Sequence, residues 1–171
     1  MAKRKPPKPK LTVLIVGEGP HDKAFLNHMK SIYDGRETGQ KVTVGSADGG
    51  SPSDIIKSTL RKRHHAHFDR RFILMDSDVG ISHKDRKRAK SAGIELVISS
   101  PVCLEGMLLE ILGEASFDTN QGCKDALHPQ LSGRPTAAKS YAEKFTKPIL
   151  DGSGKDQIIT LRNVIGNTEA R

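Results

Sequence analysis

An α/β fold, a mostly parallel sheet flanked by helices with a helical extension at the C-terminus, is what this sequence predicts, and three observations predict it. Short β-branched apolar runs of four to six residues recur through the first hundred positions, the pattern of strands buried on both faces. Between them lie stretches with apolar residues at helical spacing, which supply the crossovers that parallel strands require. After Gly113 the strand signal stops and helical and turn signals remain. At 171 residues the chain has the length of one ordinary domain. We expect a disordered basic tail over residues 1–10 and a single unit over 11–171, with its core in 11–112 and the extension in 113–171.

Each element has its own justification. Residues 11–16 run Leu-Thr-Val-Leu-Ile-Val into Gly17, a central strand. Pro20 stands where a helix can begin without losing a needed N–H, and Phe25, Leu26, Met29 and Ile32 follow at helical spacing. Residues 41–44 form a second short strand, and Ser51 before Pro52 caps a helix over 52–63 that carries Ile55, Ile56 and Leu60. A third buried strand over 72–75 runs into Asp76. Ser82 is placed to cap a very basic helix over 84–92, stopped by Gly93. Residues 94–98 predict the fourth strand, with Ser99-Ser100-Pro101 and a helix over 103–112 behind it. Residues 114–133 read as a loop punctuated by Gly122, Pro129 and Gly133. Helices are expected over 136–145 and 155–165, joined by a turn at Asp151-Gly152-Ser153-Gly154.

Lysine and arginine outnumber the acids 28 to 20, a formal charge of +8. The excess is uneven. Residues 1–10 hold five cations among three prolines, so no apolar face can form there. Residues 57–90 hold eleven Lys and Arg against four Asp, and the remainder of the chain is net acidic. Such a distribution favours a polyanionic partner. No stretch approaches the length of a membrane helix and the first residues lack the apolar core of a signal peptide, so no membrane partner is expected. Two cysteines are too few for a disulfide framework; with the rest, this predicts a cytoplasmic protein. The Gly17-Glu18-Gly19-Pro20 turn is not a P-loop, since the Gly-Lys-Ser/Thr ending is missing. Any ATP-driven step would come from a separate chain.

In an open α/β sheet ligands bind at the carboxyl ends of the strands, so the residues where buried strands stop carry the information. The first strand stops at Glu18 and the third at Asp76-Ser77-Asp78. Aspartates at i and i+2 on an extended segment point the same way. If the two strands are neighbours, Glu18, Asp76 and Asp78 converge, and three carboxylates at one rim raise each other's pKa unless a cation sits between them. An oxygen-only set suits Mg²⁺ or Mn²⁺. Taken singly, Glu18 reads more readily as an acid at a helix N-terminus, and Asp76-Ser77-Asp78 equally as a turn. His64, His65 and His67 have no zinc spacing with the two distant cysteines, and Cys103 reads as core. His21, beside Glu18, is a candidate phosphate donor.

These residues carry a resemblance. Leu14-Ile-Val-Gly-Glu18-Gly19-Pro20-His-Asp22, followed by Phe72-Ile-Leu-Met-Asp76-Ser-Asp78, resembles the Toprim domain of type IA topoisomerases, primases and small nucleases, a Rossmann-like fold. Within that group the chain is most similar to the RloB-like and OLD-type Toprim proteins of bacterial defence and mobile elements, through Ser99-Ser100-Pro101-Val102-Cys103-Leu104-Glu105 and the apolar run behind it. Ser100, Val102 and Leu104 depart from that family's pattern. The resemblance implies a Mg²⁺- or Mn²⁺-dependent nuclease acting on DNA or RNA. Glu18, Asp76 and Asp78 would be catalytic and metal-binding, Glu105 a further metal ligand, and Asp22 and Gly19 supporting residues. Lys23, Lys84, Arg86, Lys87 and Arg88 are candidate phosphate contacts. The alternatives are a ribosomal-RNA-maturing Toprim ribonuclease, a non-catalytic nucleic-acid-binding subunit of a larger assembly, and a receiver-like phosphohydrolase with Asp76 as nucleophile.

Overall fold

The structure, a computed structural model, describes residues 10–65 and 67–168. Apart from Lys10, the expected basic tail lies outside the described residues, as do the side chains of His64 and His65.

Four parallel strands form one sheet: β1 (Leu11–Gly17), β2 (Gln40–Ser46), β3 (Arg70–Asp76) and β4 (Ile94–Ser99). Their order is β2-β1-β3-β4, so β1 and β3 are neighbours, with Gly17 opposite Leu74. Helices α1 (Pro20–Tyr33), α2 (Pro52–His65) and α3 (His83–Ser91) make the crossovers, and α4 (Leu104–Ile111) leaves the end of β4. This is the α/β class that the alternation of elements predicts, and it has the layout of a Rossmann-like sheet.

The alternation of side chains along β1 decides the layers. Val13 and Ile15 face a large core with Phe25, Leu26 and Met29 of α1 and Met107 and Leu108 of α4. Leu14 and Val16 face a smaller one with Ile55 and Ile56 of α2 and Ala89 of α3. Because α1 and α2 lie on opposite faces, the chain leaves β1 in one direction and returns past it to β3. The carboxyl ends of β1 and β3 therefore flank the switch point of the sheet, where a crevice opens.

The C-terminal third departs from its prediction. Within the expected loop, Thr119 caps a helix α5 (Asn120–Leu127), its Oγ1 accepting from the Gly122 N–H at 3.0 Å. Only Cys123 and Leu127 are buried on it, too few apolar positions to show a period. The helix expected over 136–145 is reduced to a 3₁₀ turn, Ala138–Tyr141. There the Tyr141 and Phe145 rings pack on Phe25 of α1, with centroids 5.8 and 6.0 Å away, and the Tyr141 hydroxyl donates to the Pro135 carbonyl at 2.7 Å. That packing overrides the helical spacing of the two aromatics. A short α6 (Lys147–Asp151) precedes the expected turn, and α7 (Asp156–Gly166) follows it. Leu127, Tyr141, Phe145, Leu150 and the buried face of α7 all join the core that holds α1 and α4. Gln40, at the head of β2, donates its amide to the Val164 and Ile165 carbonyls at 2.7 Å each, tying the end of α7 to the sheet.

Candidate active site

Glu18 follows directly on β1 and is locked from both sides: its N–H donates to the Leu74 carbonyl of β3 at 3.1 Å and its carbonyl accepts from the Gly49 N–H at 2.8 Å. Its carboxylate turns toward β3, where Oε2 accepts the Asp76 N–H at 2.9 Å. The backbone can turn this tightly because residue 17 is glycine. A Cβ there would stand 2.6 Å from the Asp22 Cβ and 3.0 Å from the Lys23 nitrogen. Asp22 sits one turn into α1 with Oδ2 accepting the Gly19 N–H at 3.1 Å, a one-way cap that gives both supporting residues a place in the site.

Asp76 ends β3. Its Oδ1 accepts the Leu104 N–H at the start of α4, 3.0 Å away, and its Oδ2 accepts the Asn120 amide at 3.2 Å. The same amide donates to Asp78 Oδ2 at 3.2 Å, so Asn120 ties the two aspartates together. The Asp78 N–H donates to the Val102 carbonyl at 2.9 Å. Val102 lies in the left-handed region at φ 64°, a costly conformation for a β-branched residue beside a functional site. Helix α4 can pack onto this loop because of Gly106: a Cβ there would meet the Pro101 carbonyl oxygen at 2.2 Å.

A cavity of about 360 Å³ opens between these segments, lined by Glu18, Gly19, His21, Asp22, Asp76, Glu105, Asn120 and Lys124 among others. A larger depression of about 590 Å³ lies at the opposite ends of the strands, beside Lys30, Asp34, Arg36 and Gln40. Asp34 is the one acid in its lining, so the acids at the strand ends gather in the smaller cavity. Burial and mutual repulsion dominate that cavity. Burial, then the neighbouring Glu18, push Asp76 up to about 7, against the opposing Leu104 N–H. Glu18 is raised by burial, partly offset by the Asp76 N–H. Asp22, 6% exposed, is raised well above the ordinary aspartate range by burial and then by Asp76. Two buried oxygens in the cavity wall, Asp22 Oδ1 and Asn120 Oδ1, have no hydrogen-bond partner among the described residues.

Glu105 behaves differently. It is buried at the second position of α4, and its Oε1 is met by His21 Nδ1 at 3.2 Å and His128 Nε2 at 3.0 Å. Burial pushes this carboxyl up, but the His21 bond, its own backbone N–H and the His128 bond outweigh it and hold it at about 2. The structure thus brings Glu18, Asp22, Asp76 and Glu105 to one cavity and leaves Asp78 exposed at its margin. Among the described residues, His21, Glu105 and His128 are the group of three whose ligating atoms all lie within 4.8 Å of one another; Glu18, Asp76 and Asp78 do not reach that mutual spacing. Lys84, Arg86 and Lys87 are exposed on α3, just after the Asp78 loop, Arg88 is half-buried, and Lys23 is exposed on α1.

Asn120, Lys124 and His128 are the site residues that sequence reasoning missed. All belong to α5 or its end, in the stretch read as loop, and a Thr119 cap four residues before Cys123 was the one local sign of them. The fold and site define an α/β protein with an acid-lined cavity at the switch point of a parallel sheet. Comparisons with protein-family models, with curated proteins and with solved structures returned no match to this chain. Among the described residues no helix is long and apolar enough to cross a membrane.

Proposed function

We propose that this protein is a divalent-cation-dependent hydrolase of nucleic-acid phosphodiesters, in line with its resemblance to Toprim nucleases. The observation that carries the reading is the meeting of Glu18 and Asp76 on adjacent strand ends, their carboxyls raised by burial and by acidic neighbours. A cation relieves that repulsion. The donor set suits one of the hard, oxygen-preferring kind: the carboxylates of Glu18 and Asp76, with Asp78 at the cavity's margin having to turn inward to join them, and Asp22 Oδ1 and Asn120 Oδ1 as buried oxygens without a hydrogen-bond partner among the described residues. These residues would hold Mg²⁺ or Mn²⁺, which when bound stabilises charge on a phosphoryl oxygen and lowers the pKa of water.

The chain's own groups divide the remaining work. Glu18, fixed by the Asp76 N–H on one oxygen, serves with the other either as a ligand to that ion or, its carboxyl raised by burial, as the general base toward an attacking water. Asn120 orients both aspartates, and Lys124, also on the cavity wall, offers a cation to a phosphate. The basic face of α3 begins beside Asp78, where it can track a phosphate backbone while the acids do chemistry within it. Both cysteines are free and buried, which supports a cytoplasmic setting.

One observation favours a second reading, a nucleic-acid-binding subunit without cleavage that serves a separate ATPase. Both Asp76 oxygens already have donors within the protein, so this carboxyl is held in place without a cation. The deciding experiment incubates pure protein with labelled single- and double-stranded DNA and RNA in Mg²⁺, Mn²⁺ or EDTA, beside Asp76→Asn. Metal-dependent cleavage by the parent and none by the variant supports the hydrolase. Binding without cleavage under every condition supports the subunit.

A further inference from the structure

The cavity carries a second donor set whose chemistry differs from that of the acid pair. Glu105, with a side chain 3% exposed, makes no ion pair with lysine or arginine among the described residues. A buried carboxylate needs a cationic or strongly donating partner. Here that partner is a pair of imidazoles, His21 and His128, placed edge to face with ring centroids 4.8 Å apart. The three residues come from the start of α1, the start of α4 and the end of α5, so tertiary packing alone has assembled them.

The spacing is informative. Glu105 Oε1 lies 3.2 Å from His21 Nδ1 and 3.0 Å from His128 Nε2. Around a tetrahedral dication with bonds of about 2.0–2.1 Å, ligand atoms stand roughly 3.3–3.4 Å from each other. The two edges to Oε1 therefore need a change of only a few tenths of an ångström, while the two nitrogens, which lie within 4.8 Å of each other, close together as the rings swing toward the ion. Two imidazole nitrogens and one carboxylate oxygen form a set that borderline transition dications prefer, whereas Mg²⁺ prefers oxygen alone. Access is open, since the His21 and His128 side chains are 29% and 22% exposed in front of the buried acid. On the same cavity wall Asp22, 6% exposed, has an Oδ1 without a hydrogen-bond partner among the described residues, so the space beside the trio is polar.

We propose that His21, Glu105 and His128 bind a transition-metal dication of the zinc and cobalt class, at a site distinct in composition from Glu18 and Asp76. Each imidazole presents to the ion the nitrogen that now donates to Glu105; the proton on that nitrogen moves to the other ring nitrogen, or leaves to solvent where both ring nitrogens carry one. Coordination bonds replace the two hydrogen bonds to Oε1. Three protein ligands leave a position for water or for a substrate oxygen. The site stands independently of phosphodiester cleavage.

Co²⁺ titration followed by visible absorption tests it on the full chain. We expect one equivalent to give the intense band of a four- or five-coordinate ion, displaced by Zn²⁺ and not by excess Mg²⁺. His21→Gln, His128→Gln and Glu105→Gln each weaken binding about 100-fold or more, beyond the 10–100-fold loss that an outer-shell partner costs. Asp76→Asn leaves the band in place. A weak octahedral spectrum, or a band lost in Asp76→Asn and kept in His128→Gln, overturns the assignment. X-ray absorption of the Zn²⁺-loaded parent needs no variant to fold: two imidazoles around the ion are expected, and an all-oxygen shell refutes the site. A band without cleavage removes only the hydrolase reading, and cleavage without a band removes only this one.

Discussion

Replacing Asp76 with Asn should make the cation-free protein more stable at alkaline pH, although it removes a residue at the centre of the site. The reasoning is linkage. Burial and then Glu18 push the folded-state pKa of Asp76 from the ordinary 3.8 to about 7. Between those values the native state holds a proton that the unfolded chain has released, so stability falls as pH rises through the window and stays low above it. At about 1.36 kcal/mol per pH unit the full rise corresponds to about 4 kcal/mol. Asp76 is only partly buried, and solvent screening at the cavity mouth brings this to roughly half, about 2 kcal/mol. Asparagine keeps the acceptor for the Leu104 N–H, and rotating the Asn120 amide presents its unpartnered Oδ1 to the new NH₂. At roughly 2–4 °C per kcal/mol for a chain of this size, Asp76→Asn should melt about 4–8 °C above the parent at pH 8.5 in EDTA. The gap should shrink toward zero near pH 4.5. Added Mg²⁺ should raise the parent and leave the variant unmoved. Thermal melts by circular dichroism across pH 4.5–8.5 read all of this. A variant less stable than the parent by the same amount at every pH would refute the argument, because Asp76 would then be a helix cap and not a strained acid.

Other outcomes follow from the same geometry. Glu18→Gln should reduce Mg²⁺-dependent cleavage by about 100-fold or more while the far-ultraviolet spectrum is unchanged, because the ligand or base is lost and the acceptor for the Asp76 N–H is kept. Removing residues 1–10, five of them cationic, should weaken nucleic-acid binding and flatten its salt dependence by up to about four in the logarithmic slope. Cleavage at saturating substrate should persist in that truncation; its loss would place part of the chemistry in the arm. Gly106→Ala should destabilise the protein by about 1–3 kcal/mol in urea melts, since its Cβ would stand 2.2 Å from the Pro101 oxygen and α4 must move.

Much of the fold was legible from local signals. The four strands, the helices that follow the first three, and the caps at Ser82 and Pro20 depend on periodicity and on residues a few positions apart, so they can be read along the chain. So can the identity of the acids at the ends of β1 and β3. Their meeting was legible only as a condition, that the two strands are neighbours. The C-terminal third was poorly legible. Tyr141 and Phe145 have helical spacing, yet they are held by the α1 rings in a 3₁₀ turn, and α5 has too few buried positions to announce itself.

Residue types and their spacing along the chain therefore settle the α/β class, the basic arm and middle segment, and the presence of strand-end acids, because each is a property of neighbouring residues. Tertiary structure decides which acids share a cavity. Strand order sets Glu18 beside Asp76. Helix α5, docking 44 residues beyond Asp76, brings the Asn120 amide that ties it to Asp78. His128 reaches Glu105 from 23 positions away and His21 from 84. No local pattern encodes such distances, since they arise only when the two faces of the sheet bury their apolar side chains and fix where each helix end must lie.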